Sequence, residues 1–384
     1  MRSNTKSSIT LPAAELKLVR FLKARLRLST NVEVVRRGLR LLAETTERSA
    51  LKDAYRSASR ATRKSRDEVA ALPAVGPAWI QLKKAADLPA GKPDLSDQNQ
   101  MNNVYVLAKA LVHARTGEDR YRREVIDNCL AAIDTERGGK TLALGRELCA
   151  YVIAADLIRW SDAKFVDWLE RCQTETLQGK TLLSTHLKRP NNWGTHAGAS
   201  RIASVIYLRD YYQAHDNERR AQQYQTELEE LAAVFHGFVG DRASYAEFVY
   251  DHDVSWQADP DRPVGINPKG AMKEGHSIDG VLPDDLRRGG SFQWPPGKTG
   301  YPWEAMQGIV VQAELLRRQG YDAFEWEDRA VLRAAQFLHA INWPAEGDDQ
   351  WQPWLLNKRY GTKFPAALTA RPGKNMGWTN WTHQ

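Results

Sequence analysis

The chain has 384 residues, of which 42% are hydrophobic and 9% aromatic. This composition favours a packed core and excludes a disordered protein. No apolar stretch approaches the roughly 20 residues that a membrane span requires, so no membrane partner is expected. The N-terminal residues MRSNTKSSITLP lack the apolar core of a signal peptide. The chain as written is therefore expected to remain in the cytoplasm.

Positive charge is concentrated near the N-terminus. The formal net charge is +7, but residues 1–68 contain 17 Lys and Arg against 7 Asp and Glu, whereas residues 69–384 contain 37 against 40. A basic block of this kind favours contact with nucleic acid. The alternatives are a solvated helical arm and a charged linker.

The first predicted elements are a short strand and two helices. In KSSITLP, residues 6–12, Lys6, Ser8 and Thr10 alternate with apolar residues and share one face of a strand. A helix follows from Pro12, and a second begins at Thr30, where TNVE forms a capping box. This unit is too small to bury a sufficient core alone, so self-dimerisation is expected.

The stretch ITLPAAELKLVRFLKARLRLSTNVEVVRRGLRLLAE resembles the ribbon-helix-helix family of bacterial repressors and antitoxins. The resemblance implies that two copies pair their strands into a ribbon that enters the major groove of DNA. Lys6, Ser8 and Thr10 would then point at the bases. The alternative is a basic two-helix cap on the rest of the chain. We assign residues 1–48 to this module and residues 49–68 to a charged linker.

Residues 69–384 are expected to form a second, mainly α domain. Apolar residues recur there at helical spacing, and strand-like alternation is scarce. Helices are predicted over Val104–Thr116, Arg122–Ala132, Leu144–Ile158, Asp162–Thr176, Ala197–His215, Arg219–Phe238, Ala305–Arg318 and Asp328–Ile341. Six or more helical hairpins joined by short loops would close into an α/α toroid, also described as an incomplete α/α barrel.

Two segments concentrate polar and aromatic residues. The first, RPNNWGTHAGASRIASVIYL, opens a helix and places Asn192 and His196 four residues apart on one face. The alternative for Asn191 and Asn192 is a helix cap with a turn. The second runs from Lys269 to Trp303 and is a Gly- and Pro-rich loop of more than thirty residues. Long structured loops in compact domains are more often functional than accidental.

These segments carry a resemblance to a known family. The combination PNNWGTH, DGVLPDDLRRGG and YPWEAMQGIVVQAELL is similar to the alginate lyase superfamily, over roughly residues 66–384. The resemblance implies catalytic roles for Asn192, Arg288 and Tyr301. The histidine of the family motif is replaced by Trp193, and His196 lies three positions further on, about 4.5 Å along a helix axis. The loop between Arg288 and Tyr301 is also longer than in the family.

The family chemistry is β-elimination from a uronate-containing, alginate-like polysaccharide. Asn192 and His196 are expected to hydrogen-bond the uronate carboxylate and stabilise the enolate-like intermediate. Tyr301 is expected to take the C5 proton and return one to the departing O4. An isolated phenol is a poor base, and Arg288 beside it would stabilise the phenolate. No metal and no cofactor are needed for this scheme. Cys129, Cys149 and Cys172 are spaced singly and are predicted to be buried thiols.

Further residues in and beside the two segments are candidates for contact with the polymer. Aromatic faces next to polar groups suit a sugar ring, although Trp-rich helix contacts are an equally ordinary use. The predicted substrate-binding residues are Trp193, Trp256, His276, Arg287 and Trp303. His276 and Asp279 could instead shape the loop, and Asp251 and Asp253 could form either a subsite wall or a solvated acidic loop.

Two other functions remain open from the sequence. Toroids also host glycoside hydrolases, for which Asp284, Asp285 and Glu304 offer paired carboxylates. A DNA-binding autoregulator with an inactive second domain is the non-enzymatic alternative. The lyase resemblance implies a periplasmic or secreted enzyme, in contrast to the cytoplasmic location that the N-terminal residues indicate.

Overall fold

The computed structural model describes residues 66–384 without a break. Ahead of them it describes nine separate residues: Leu16, Lys17, Val19, Arg20, Lys23, Thr30, Asn31, Val34 and Val35. Eight of these nine residues, all except Thr30, are helical, and they lie within the two helices predicted near the N-terminus. Lys6, Ser8 and Thr10 lie outside the described residues, so the DNA-contacting strand stays a prediction. The chain divides into two units, Met1–Ala58 and Ser59–Gln384, at a boundary inside the predicted linker.

The second unit is mainly helical, as predicted. Residues 66–71 are helical. The helices that follow are α1 (Pro77–Asp87), α2 (Asn102–Thr116), α3 (Asp119–Ala132), α4 (Thr141–Leu157), α5 (Ala163–Thr174), α6 (Leu182–Lys188), α7 (Asn192–Ala214) and α8 (Glu218–Val239). After a long connection come α9 (Pro283–Leu286), α10 (Tyr301–Arg318), α11 (Trp326–Ala340), α12 (Gln352–Tyr360) and α13 (Thr379–Thr382). In the described part of the chain, no helix is both long and apolar enough to cross a bilayer.

Helix α7 lies at the centre of this unit and packs against α4, α6, α8 and α10. Residues on all of its sides are buried, which is typical of a helix enclosed by others. Two glycines permit the closest approaches. A Cβ on Gly145 of α4 would lie 2.9 Å from the Ala197 backbone nitrogen, and one on Gly308 of α10 would lie 2.3 Å from the carbonyl carbon of Thr195. The first turns of α7 are therefore held directly against both neighbours.

The connection between α8 and α10 is long but well ordered by its own contacts. It contains a two-residue hairpin, in which β1 (Met272–Lys273) pairs antiparallel with β2 (His276–Ser277), and the short helix α9. Arg333 of α11 holds this connection in place by two hydrogen bonds. It donates to the Asp279 carboxylate at 2.5 Å and to the Asn267 carbonyl oxygen at 2.8 Å. The predicted loop from Lys269 to Trp303 is thus a structured segment. It places α9 against the start of α7, where Asp284 and Asp285 accept hydrogen bonds from Asn191 and Asn192.

We expect Gly308→Ala to destabilise the protein. The added methyl group would overlap the Thr195 backbone, and overpacking of this kind costs about 1–3 kcal/mol, which exceeds the gain in helix propensity. Urea denaturation followed by circular dichroism measures the effect. The matched control is Gly300→Ala, because a Cβ at Gly300 meets nothing within 4 Å. Equal unfolding midpoints for the two variants would contradict the close approach of α7 and α10.

Candidate functional site

The first predicted segment folds as a helix cap followed by a buried amide. Asn191 is the N-cap of α7: its side-chain oxygen accepts from the Trp193 N–H at 3.1 Å, and its amide donates to Asp284 at 2.6 Å. The capping alternative therefore holds for Asn191. Asn192 is the first residue of the helix and only 3% exposed. Its backbone N–H donates to Asp285 Oδ1 at 3.1 Å.

The side chain of Asn192 is not used by the fold. Its Oδ1 is buried and has no hydrogen-bond partner, and its Nδ2 makes no hydrogen bond with residues 66–384. Buried amides without partners are rare because each unmade hydrogen bond costs about 1–3 kcal/mol. Asp285 repeats the pattern, since its Oδ2 is also buried and unpartnered. This pair is therefore a candidate for contact with a ligand.

Arg288 and Tyr301 are brought together as the sequence predicted. An Arg288 Nη2 hydrogen donates to the Tyr301 hydroxyl oxygen at 3.0 Å, and the guanidinium carbon lies 4.1 Å from the centre of the phenol ring. The loop between them folds back on itself, with Gly289 against the Gly297 backbone. Because the hydroxyl oxygen accepts this hydrogen bond, the guanidinium stabilises negative charge on that oxygen.

Two more arginines lie near this pair. Arg189 stacks over the Trp193 ring, with its guanidinium carbon 4.5 Å from the ring centre. Burial lowers the pKa of Arg189, and the charges of Arg288 and Arg287 lower it further, although Asp284 opposes them. Arg287 is paired with Asp284 at 2.7 Å and with Asp251 at 3.1 Å. Arg189 and Arg288 are thus close enough for their charges to interact, whereas the charge of Arg287 is offset by two carboxylates.

His196 does not face a ligand, contrary to the prediction. It is fully buried, and its Nε2 lies 3.3 Å from Glu304 Oε2. Its Nδ1 lies 2.8 Å from the Asn375 side-chain amide, which can pair with this nitrogen in either amide orientation. Burial lowers the pKa of His196, although Glu304 opposes this. Both ring nitrogens are thus occupied by the protein, and His196 joins α7, α10 and the C-terminal segment.

A buried polar network surrounds His196, and the sequence analysis missed most of it. Arg146 donates to Glu304 at 2.6 Å, and Lys374 pairs with Glu147 at 3.0 Å. Burial opposes ionisation of Glu304, but the hydrogen bond from His196 and the nearby positive charges outweigh it and lower the Glu304 pKa. The sequence does contain an indication of this network. Arg146 and Glu147 interrupt the otherwise apolar helical segment TLALGRELCAYVIAADL. Such residues need partners that only the fold supplies.

Two of the predicted sugar-binding tryptophans are core residues. Trp256 is 1% exposed and donates to the Gly290 carbonyl oxygen, and Trp303 is 2% exposed and donates to the Trp343 carbonyl oxygen. Neither ring has a face open to a sugar, because both pack inside the unit. Trp193 is half-buried under Arg189, as described above.

The remaining loop residues stay close to the surface. His276 stacks on the 38% exposed Trp294 ring, with 4.5 Å between the ring centres. Asp279 accepts a hydrogen bond from Arg333 and so shapes the loop, which was one of the roles considered for it. Asp251 is exposed beside Arg287, and Asp253 caps a turn by accepting from the Ser255 N–H at 2.9 Å. These two carboxylates fit the solvated loop better than a subsite wall.

No group of three or more His, Cys, Asp and Glu residues that could hold a metal ion is present among the described residues. The three cysteines are free and buried, as predicted.

Comparison of the chain with known protein families, with curated proteins and with solved structures found no match in any of the three.

We expect His196→Ala to lower the stability of the fold. The change leaves a cavity and removes a hydrogen bond to Glu304, at a combined cost of about 2–4 kcal/mol. Urea denaturation of His196→Ala and of His215→Ala gives the comparison, because His215 is exposed and its loss should change stability by less than about 0.5 kcal/mol. An unchanged midpoint for His196→Ala would refute the structural role assigned to this histidine.

Proposed function

We propose that the second unit is a polysaccharide lyase that cleaves an acidic, uronate-containing, alginate-like polymer by β-elimination. We further propose that its helices are arranged as an incomplete α/α toroid. The observation that carries the proposal is the contact between Arg288 and Tyr301. A second observation supports it: the buried side-chain oxygen of Asn192 has no hydrogen-bond partner among residues 66–384. Phenol, guanidinium and amide are the groups that this elimination requires.

The first task of such an enzyme is to neutralise the uronate carboxylate. A carboxylate next to C5 resists loss of the C5 proton, because the resulting carbanion adds negative charge to a group that is already negative. The Asn192 amide can donate to this carboxylate, and the positive charges of Arg189 and Arg288 can offset its charge. His196 supports this arrangement indirectly, by fixing the start of α7 against Glu304.

The second task is proton transfer. In the proposed step the Tyr301 phenolate takes the C5 proton, the C5–H electrons form the C4–C5 double bond, and the C4–O4 bond breaks. The phenol then returns the proton to O4 of the departing sugar. Arg288 stabilises the phenolate through the contact described above. The products are a new chain end and an unsaturated uronate.

Glycoside hydrolysis is less well supported by the positions of the carboxylates. Both Asp284 oxygens are engaged, one by Arg287 and one by Asn191. Asp285 is 1% exposed, and Glu304 is held by Arg146 and His196. A hydrolase needs one carboxylic acid and one carboxylate that both reach the glycosidic bond.

A second activity, DNA binding by a dimer of residues 1–48, is proposed on the charge pattern. Residues 1–68 have ten more basic than acidic side chains, whereas the remainder of the chain is slightly acidic. Such a separation of charge favours a phosphate-binding segment over general basicity. Lys6, Ser8 and Thr10 are the proposed base-contacting residues.

We expect Tyr301→Phe to abolish elimination while polymer binding persists. The variant keeps the ring that Arg288 contacts and removes the proton carrier, so kcat should fall about 10²- to 10⁴-fold with little change in KM. The assay follows the ultraviolet absorbance of the unsaturated uronate on alginate and on other polyuronates.

Tyr321→Phe is the matched control, since Tyr321 follows the opposite end of α10 and its hydroxyl makes no hydrogen bond with residues 66–384. This variant should retain wild-type rates. Near-normal elimination by Tyr301→Phe would remove Tyr301 from the mechanism. New reducing ends without ultraviolet absorbance would favour the hydrolase instead.

For DNA binding, we expect the triple variant Lys6→Ala, Ser8→Ala, Thr10→Ala to lose affinity for the gene's own promoter. Two lysines per dimer contribute to phosphate or base contacts, so the dependence of affinity on salt should also become shallower by about 2 in logarithmic slope. Fluorescence anisotropy at several salt concentrations measures both effects. The exposed Lys164→Ala serves as the control. Identical affinity and slope in the triple variant would refute the proposed contact surface.

A further inference from the structure

The buried contact between Asp285 and Asn192 carries an inference about how the site is oriented. Asp285 Oδ1 accepts from the Asn192 backbone N–H at 3.1 Å, which places the carboxyl group beside this residue. The second carboxyl oxygen, Asp285 Oδ2, and the side-chain oxygen of Asn192 are both buried and both lack a hydrogen-bond donor. Two oxygens that can only accept are unfavourable in such a place.

A proton on Asp285 would satisfy both oxygens if it were shared with the side chain of Asn192, whose backbone N–H already binds this carboxyl group. A protonated carboxyl group has one O–H donor, and a side-chain amide has one oxygen acceptor and two N–H donors. If the Asp285 hydroxyl donates to Asn192 Oδ1, neither oxygen remains unpartnered. The amide then has a defined orientation, because its oxygen is held by Asp285 and its NH₂ group is left to donate elsewhere.

We propose that Asp285 is a positioning residue that acts as a neutral acid, donating its proton to Asn192 Oδ1 so that the Asn192 NH₂ group faces the carboxylate of the substrate. This inference rests on the proposed lyase function and extends it to a residue that does not itself touch the polymer. An ionised Asp285 would instead repel the amide oxygen and favour the opposite orientation, with the oxygen toward the substrate carboxylate.

The surroundings of Asp285 favour the neutral form. Burial raises the pKa of Asp285 well above its ordinary value, and the adjacent Asp284 raises it further. The Asn192 N–H and the charges of Arg288 and Arg287 act in the opposite direction and are outweighed. Arg287 is already paired with Asp284 and Asp251, and Arg288 is turned onto Tyr301.

The test compares Asp285→Asn with Asp285→Ala in the full chain. An asparagine can accept from the Asn192 N–H and donate to Asn192 Oδ1, so it reproduces the neutral acid. We expect Asp285→Asn to retain elimination within about fivefold, and Asp285→Ala to lose about 10²-fold, mainly as a rise in KM for the polyuronate. Loss of activity in both variants alike would overturn the proposal.

A stability measurement tests the same claim without activity. The unfolded aspartate ionises near pH 4, whereas the folded one keeps its proton, so the folded state binds more protons and this group makes the protein less stable as pH rises. Asp285→Asn has no such proton. The urea midpoint of Asp285→Asn, relative to wild type, should therefore increase between about pH 5 and about pH 8.

Asp279→Asn is the control, because Asp279 also accepts hydrogen bonds from the fold but is not among the charges that act on Asp285. It should lower the midpoint at both pH values, with no advantage that grows as pH rises. A constant midpoint difference for Asp285→Asn would overturn the neutral-acid assignment. If the wild-type protein cleaves no polyuronate but the pH-dependent difference is present, the proposed function fails and the contact between Asp285 and Asn192 stands.

Discussion

The close packing of α7 between α4 and α10 is the constraint on which the rest of the site depends. Gly145 and Gly308 lack the Cβ atoms that would keep these helices apart, and the backbone of α7 passes directly over both. Because the approach occurs at residues 195–197, it fixes the helix one turn after Asn192. The amide at the helix start therefore has a defined position relative to α10, which begins with Tyr301.

The apolar pattern of the sequence predicted the long helices well, but it did not mark their first turns or the short helices. The eight predicted helices correspond to α2, α3, α4, α5, α7, α8, α10 and α11, whereas α1, α6, α9, α12 and α13 were not predicted. Apolar periodicity alone marked α7 from Ala197 and α10 from Ala305, whereas the helices begin at Asn192 and Tyr301. For α7 the segment after Pro190 had been expected to open the helix, with Asn192 on its face, and this is confirmed. Apolar periodicity identifies the part of a helix that packs in the core. It is silent where polar residues occupy the first turn, and in both helices these are the residues of the candidate site.

The candidate site could be predicted where contacts are local and not where they depend on distant partners. Arg288 and Tyr301 are separated by a single loop, and their predicted contact is present. His196 shares a helix face with Asn192 as expected, but that face is covered by Glu304 and Asn375, which are 108 and 179 residues away in the chain. Trp256 was misassigned for the same reason, since a tryptophan beside a polar loop has the same local sequence whether its ring is buried or exposed.

The contrast between His196 and Asn192 also bears on function. Both are buried polar residues in the first two turns of α7. Each ring nitrogen of His196 has a partner, whereas the side-chain oxygen of Asn192 has none among residues 66–384. A residue of the first kind contributes to stability through the contacts it makes. A residue of the second kind lowers stability and is explained more readily by a ligand than by the fold. Asn192 contacts Asp285, which lies three residues before Arg288 in the chain, and Arg288 in turn contacts Tyr301.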